Sequence, residues 1–182
     1  YCEEGGLPWV KTLDRNENTI VKTDERITSK ALKETSCSLF PQGSVLVAMY
    51  GGWVQIGRTA LIKEPSATNQ AISVLVFDDP NTLPEFILRS LQFNRFRWKK
   101  VAASTRKDPN ITKSDVEAFK IAIPYDSNEQ ETIVRIYGEM ISKLGAEKSS
   151  LLKLNSQKSG LMDDLLTGKK RVTDLLNQQQ AN

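Results

Sequence analysis

From Ile133 to Leu165 the chain places a mostly apolar series at alternating four- and three-residue steps: Ile133, Tyr137, Met140, Leu144, Glu147, Leu151, Leu154, Lys158, Leu161 and Leu165. Eight of these ten positions are apolar, over more than four heptads. Residues so spaced share one side of a helix, and an apolar seam between polar flanks is buried only against another helix. At 1.5 Å per residue, the 33 residues from 133 to 165 make a rod of roughly 50 Å. Ser127 followed three residues later by Gln130 predicts a capping-box start, and Thr167-Gly168 with the basic run Lys169-Lys170-Arg171 predicts the stop. Gly138, Gly145 and Gly160 each cost such a helix about 1 kcal/mol relative to Ala, so packing must hold it together. Glu147 and Lys158, polar at seam positions, are expected to fix its register.

The preceding stretch reads differently. "LPWV" and "TIVK" are short apolar pieces, "SVLVAMY" (44–50) is a strand entered from a turn at Pro41-Gln42-Gly43, and "VQIGRTALI" (54–62) reads as a second strand or pair. "AISVLVF" (71–77) is apolar enough for a strand buried on both faces. Residues 82–97 then switch to helical spacing through Leu83, Phe86, Ile87, Leu91 and Phe93. "DPNITKSDVEAFKIAIP" predicts loop, short helix and strand, with Thr112 and Asp115 at N-cap and N3 spacing. The expected fold class is therefore α+β. A globular head of mixed short strands and helices spans 1–126, a long coiled-coil helix spans 127–168, and a basic, then frayed tail spans 169–182.

Composition removes several kinds of chemistry. The 182 residues contain no His, which excludes His-activated Ser or Cys nucleophiles and most zinc or non-haem iron sites. Two cysteines, Cys2 and Cys37, make no disulfide framework and suit a reduced, cytoplasmic protein. No apolar run approaches the ~20 residues that span a bilayer. There is no secretory segment and no initiator Met, so the start is expected to be a processed, trimmed or cut end. The acidic pairs Glu3-Glu4, Asp78-Asp79 and Asp163-Asp164 read as solvated surface, and no Gly-x-Gly-x-x-Gly or adenine-methyltransferase box is present.

The net charge of +3 is unevenly spread. Residues 87–113 carry eight basic groups and one acidic, while 1–50, 51–86 and 114–182 sum to −1, −2 and −1. That window interleaves Arg95, Arg97, Lys99, Lys100, Arg106 and Lys107 with Phe93, Phe96 and Trp98. Cationic side chains neutralise phosphates, and aromatic ones add apolar contact, so the window points to nucleic acid. The plainer reading is a solvated helix end with its aromatics in the core.

"GGWVQIGRT" (51–59) differs from a phosphate-binding loop by Arg58 in the place of Lys. The residues after it are strand-like as far as Pro65, where such a loop needs a helix N-terminus. The stretch is better read as a Gly-rich hairpin, with glycines where positive φ is required. It then either presents Trp53, Gln55 and Arg58 to a partner, Gln and Arg being readers of base edges, or buries its Trp in the core.

Taken together, "GLPWV" (6–10), "RIT" with "FPQGSVLVAMYGGWVQIGRTALI" (26–62), "TNQAISVL" (68–75), "NITKSDVEAFKIAIP" (110–124), "NEQETIVRI" and "SGLMDDLLTGKKRV" (159–172) resemble the DNA-specificity (S) subunit of type I restriction–modification systems. The resemblance covers nearly the whole chain. It implies a target recognition domain that reads half of a bipartite site in double-stranded DNA, and a long helix that pairs with a second one and sets half-site spacing. It implies docking to modification subunits that hold S-adenosylmethionine, with ATP- and Mg-dependent restriction subunits joining indirectly, and no cofactor or catalysis in this chain. The near-P-loop becomes the family's Gly-x-x-x-Gly-Lys/Arg hairpin, which binds no nucleotide. One head and one helix make half a subunit, cut from a longer chain or pairing with its own twin. Only "YCEEG" precedes "GLPWV", and "YDSNEQ" stands where the family shows Pro-Pro-x-x-Glu-Gln. The DNA-contacting candidates are Trp53, Gln55, Arg58, Arg95, Arg97, Lys99, Lys100, Arg106, Lys107 and Asn110. The pairing candidates are Ile133, Tyr137, Met140, Leu144, Leu151, Leu154, Leu161 and Leu165. A different class remains open, an assembly module that acts through its helix without DNA affinity.

Overall fold

The computed structural model describes residues 6–11, 19–20, 22–102 and 109–173. The chain divides into two compact units, Tyr1–Val134 and Arg135–Asn182. In the first, strands β1 (Leu7–Val10), β3 (Glu25–Ile27), β4 (Leu39–Phe40) and β7 (Ser66–Thr68) form one sheet in the order β3-β1-β7-β4. Strands β2 (Thr19–Ile20), β5 (Val45–Ala48), β6 (Thr59–Ile62) and β8 (Ile72–Leu75) form a second in the order β2-β6-β5-β8. The pairs β1–β7 and β2–β6 are parallel, while β5 runs antiparallel to both β6 and β8.

β5 is the centre of the head because both of its faces are apolar. Successive strand residues point to opposite faces. Val45 and Val47 join one core cluster with Leu61 of β6, Phe86, Ile87, Leu88 and Leu91. Leu46 joins another with Val10 of β1, Ala60, Ile62 and Ile72. The second sheet thus lies between the first sheet and a helical layer, which is why "SVLVA" carries no polar alternation.

That layer is α3 (Pro84–Phe93), followed by a 3-10 turn (Arg95–Arg97) and a short α4 (Trp98–Val101). The sequence spacing suggests one helix over 82–97, with Phe93 on its apolar side. The helix instead ends at Phe93, and that ring is 81% exposed. At 100° per residue, Phe93 points some 200° away from the buried Leu91. Pro84 occupies the first turn, where its missing N–H costs no hydrogen bond.

α1 (Ser29–Glu34) is capped by Thr28, whose hydroxyl accepts from Ala31 N at 3.0 Å. α5 (Lys113–Glu117) has the capping box expected of Thr112 and Asp115. The strand expected after it, within 119–124, is not formed. Phe119 and Ile121 pack against the first core cluster instead. Residues 54–62 also depart from expectation, since only Thr59–Ile62 is strand and α2 (Gly52–Gln55) precedes it as one helical turn.

α6 runs from Ser127 to Leu166, 40 residues. Its start is not the expected capping box. Asp126 Oδ1 accepts from Asn128 N at 2.9 Å, so Asp126 is the capping side chain. Gln130 turns inward and is buried, and Val134 packs against the head's first cluster. The C-terminal stop is as expected, with Gly168 at φ 74°, Lys169 paired with Asp163 and Lys170 with Asp164.

Candidate nucleic-acid interface and helix seam

The connection from β5 to β6 is a hairpin with a helical turn at its tip. Val47 pairs with Thr59, Ala48 N donates to Arg58 O at 2.8 Å, and Gly57 N donates to Ala48 O at 3.0 Å. The chain reverses through left-handed residues at Gly51 (φ 104°), Gly52 (φ 70°) and Gly57 (φ 68°), conformations that glycine adopts without steric cost. Strand β6 comes directly after Arg58, so the helix N-terminus that a phosphate-binding loop requires is not there. Trp53 and Val54 sit on the exposed side of α2, Gln55 and Arg58 are half-buried, and Arg58 Nη1 reaches Gln55 Oε1 at 3.4 Å.

The basic window lies beside this tip and is fastened to it. Arg95 on the 3-10 turn donates from Nε to Ile56 O at 3.2 Å and from Nη2 to Val54 O. One planar guanidinium thereby holds two carbonyls at the end of α2, a bidentate geometry Lys lacks. Arg97 Nη1 donates to Lys120 O at 2.8 Å, and its guanidinium lies 4.6 Å from the centre of the Phe119 ring. Trp98 is buried and stacks on Phe119 at 3.8 Å between centroids. Both arginines therefore have internal partners, a role that their charge alone does not suggest.

Between the tip and the window lies a cleft of about 320 Å³, lined by Trp53, Ile56, Arg95, Phe96, Trp98 and Lys99. Trp53 is 45% and Phe96 59% exposed. Of the window's three aromatics, only Trp98 is core. Lys99, Lys100 and Asn110 are exposed, and Ile111 N, next to Asn110, donates to Met49 O at 3.0 Å at the base of the hairpin. Trp53, Arg95 and Lys99 thus line one cleft, Arg97 and Lys100 line another, and Gln55, Arg58 and Asn110 stand at or beside the hairpin. Arg106 and Lys107 lie outside the described residues.

The eight seam residues of α6 all lie on the surface of this chain, from Tyr137 at 38% to Met140 at 68% exposed. Ile136, Ile141 and Met162 flank the strict heptad positions and are exposed too, as are Leu152 and Leu166 further round the helix. Arg135 pairs with Glu139 at 2.8 Å along the helix, a surface pair worth about 0.3–0.5 kcal/mol.

Gln130 is a residue whose role the sequence reading missed. Its Oε1 accepts from Leu83 N at 2.9 Å, and its Nε2 donates to Asn81 O at 2.9 Å and to Pro124 O at 2.8 Å. Gln130 shares its three-residue spacing from Ser127 with a capping box, which hides this role in the sequence. The Asn81 loop is itself ordered by Asp79, whose carboxylate accepts from Asn81 N at 2.9 Å and from the Thr82 hydroxyl at 3.1 Å. These bonds hold the Asp79 carboxyl below the usual carboxylate range. Among the described residues, no cluster of three or more Cys, Asp or Glu is placed to hold a metal ion, and no helix is long and apolar enough to cross a membrane.

Residues 1–155 match the family described as the type I restriction modification DNA specificity domain. A type I restriction enzyme specificity subunit from Escherichia coli is 25% identical over 138 residues, 75% of this chain and 34% of that protein. The MjaIX specificity subunit from Methanocaldococcus jannaschii is 26% identical over 158 residues, 82% of this chain and 35% of that one. Among solved structures, the HsdS subunit from Thermoanaerobacter tengcongensis superposes with a TM-score of 0.59 at 16% identity, over 89% of this chain and 37% of that chain. The chain spans about a third of the length of the curated relatives it matches. It belongs to the type I restriction modification DNA specificity domain family.

Proposed function

We propose that this chain is a non-catalytic DNA-recognition module that reads one half of a bipartite site in double-stranded DNA through the α2 and 3-10 turn face of its head. The observation that carries the reading is the composition of that face. Arg95, Phe96 and Lys99 line one cleft with the exposed Trp53, and residues 87–102 hold no acidic side chain. Membership of a DNA-specificity family supports it.

In this reading α6 pairs through its exposed seam with a second such helix, from another half or from a twin. The assembled subunit docks modification subunits, and restriction subunits join indirectly, in the cytoplasm. S-adenosylmethionine, ATP and Mg belong to those partners.

The test is a titration of labelled duplex by the chain across a salt series. Phosphate contacts make log K fall steeply with log salt, at roughly −0.9 per neutralised phosphate. A steep negative slope is expected. Helix-dependent oligomers without duplex affinity at low salt would favour the assembly-module reading instead.

A further inference from the structure

Phe96 is an exposed aromatic on a turn held from both sides. Its ring is 59% exposed, yet every neighbour along the chain is tied down. Asn94 Nδ2 donates to Ser90 O at 2.9 Å, Arg95 holds the carbonyls of Val54 and Ile56, Arg97 holds the carbonyl of Lys120, and Trp98 is buried at 1% exposure. Two guanidiniums and an indole thus fix a three-residue turn whose central side chain points away from the core. Trp53 shares the adjoining cleft with Phe96, and Lys99 lines it too.

Phe96 is more than half exposed, so a partner that covers it gains apolar contact, and the turn that carries it is already ordered before the partner arrives. The surroundings select the partner. No acidic side chain lies within 87–102 to attract a basic peptide, and the exposed Lys99 and Lys100 match a polyanion. A polyanion with flat apolar faces is a nucleic acid, and aromatic side chains meet it by stacking on bases or wedging a base step open.

We propose that Phe96, with Trp53 across the cleft, is an aromatic wedge that stacks on a base at an opened or kinked step of the bound duplex. Arg95 and Arg97 are then positioning residues for the wedge, and Lys99 and Lys100 hold phosphates. This rests on the DNA reading above and adds to it a mode of contact distinct from base-edge hydrogen bonding.

The experiment uses the full chain and duplexes chosen by it from a randomised pool, with 2-aminopurine placed at successive positions. Wild type is expected to raise 2-aminopurine fluorescence at one step, the sign of lost stacking. Phe96→Ala is expected to abolish that rise and weaken binding about tenfold, with the salt slope unchanged; Phe96→Leu keeps a partial wedge and an intermediate signal. Circular dichroism melting checks that both variants fold, as an exposed ring predicts. Tight binding by wild type with no fluorescence rise at any position, or a rise that Phe96→Ala leaves intact, would overturn the wedge while leaving DNA recognition standing. Absence of duplex binding by wild type at low salt would overturn both.

Discussion

The indole of Trp98 occupies the space that a side chain at Gly57 would need. A Cβ built on Gly57 would lie 2.1 Å from Trp98 Cδ1, and the residue already sits at φ +68°. The hairpin tip and the basic window are therefore locked by a missing atom as much as by hydrogen bonds. Gly57→Ala combines left-handed strain of about 1–2 kcal/mol with overpacking of about 1–3 kcal/mol. Urea unfolding is expected to show a loss of roughly 2–5 kcal/mol. Gly138→Ala, in α6 with open space around it, should stabilise its helix by about 1 kcal/mol on the same assay.

Gln130→Leu removes three partly buried hydrogen bonds and leaves Leu83 N without its acceptor. One orphaned buried amide costs about 1–3 kcal/mol, and the lost bonds add to it. Chemical denaturation should place the variant about 2–4 kcal/mol below wild type. Amide exchange should speed up first at Leu83 and in the opening turns of α6.

Arg95→Lys keeps the charge and loses the two-carbonyl clamp on α2. Hydrogen exchange at the 52–57 amides should accelerate, while the salt dependence of duplex binding stays as in wild type. Lys99→Ala and Lys100→Ala should do the reverse, leaving exchange unchanged and each lowering the salt slope by about 0.9. Equal effects from all three changes would contradict the division of roles.

Asp79 gives a pH signature with a definite sign. Its folded-state pKa is depressed below 3.8, chiefly by the Asn81 backbone N–H and then by the Thr82 hydroxyl. The stabilisation is therefore complete above the unfolded value and lost as pH falls through the folded one. Wild type should exceed Asp79→Ala in stability at neutral pH, and the gap should close only in acid below about pH 4.

The heptad spacing of Ile133 to Leu165 was enough to foretell α6 because a long helix with one apolar seam has a period that no strand shares. The β5 strand was legible for a related reason, since four consecutive apolar residues bounded by a turn leave few alternatives. The hairpin tip was legible only in part. Its glycines announced a reversal, but the helical turn at Trp53 is held by Arg95, 41 residues away for its Val54 contact, and no local pattern reports that. The charge of Arg95 and Arg97 was legible in the sequence, while their carbonyl partners, far away along the chain, were not. Gln130 was misread because a capping box and a buried amide share the same spacing.

The exposed seam yields its own prediction. Light scattering should report a dimer that becomes a monomer when Leu151 and Leu154 are both changed to Asp, since charge at two seam positions removes the apolar face. A wild-type monomer would mean that the seam takes the helix of a different half.

The central claim, that the head reads DNA sequence, is tested most directly by selection. The chain is incubated with a pool of randomised duplexes, bound molecules are recovered over several rounds, and both pools are sequenced. The account predicts enrichment of one short motif, a single half-site, doubled into a palindrome if two copies pair through α6. A recovered pool indistinguishable from the input would contradict it.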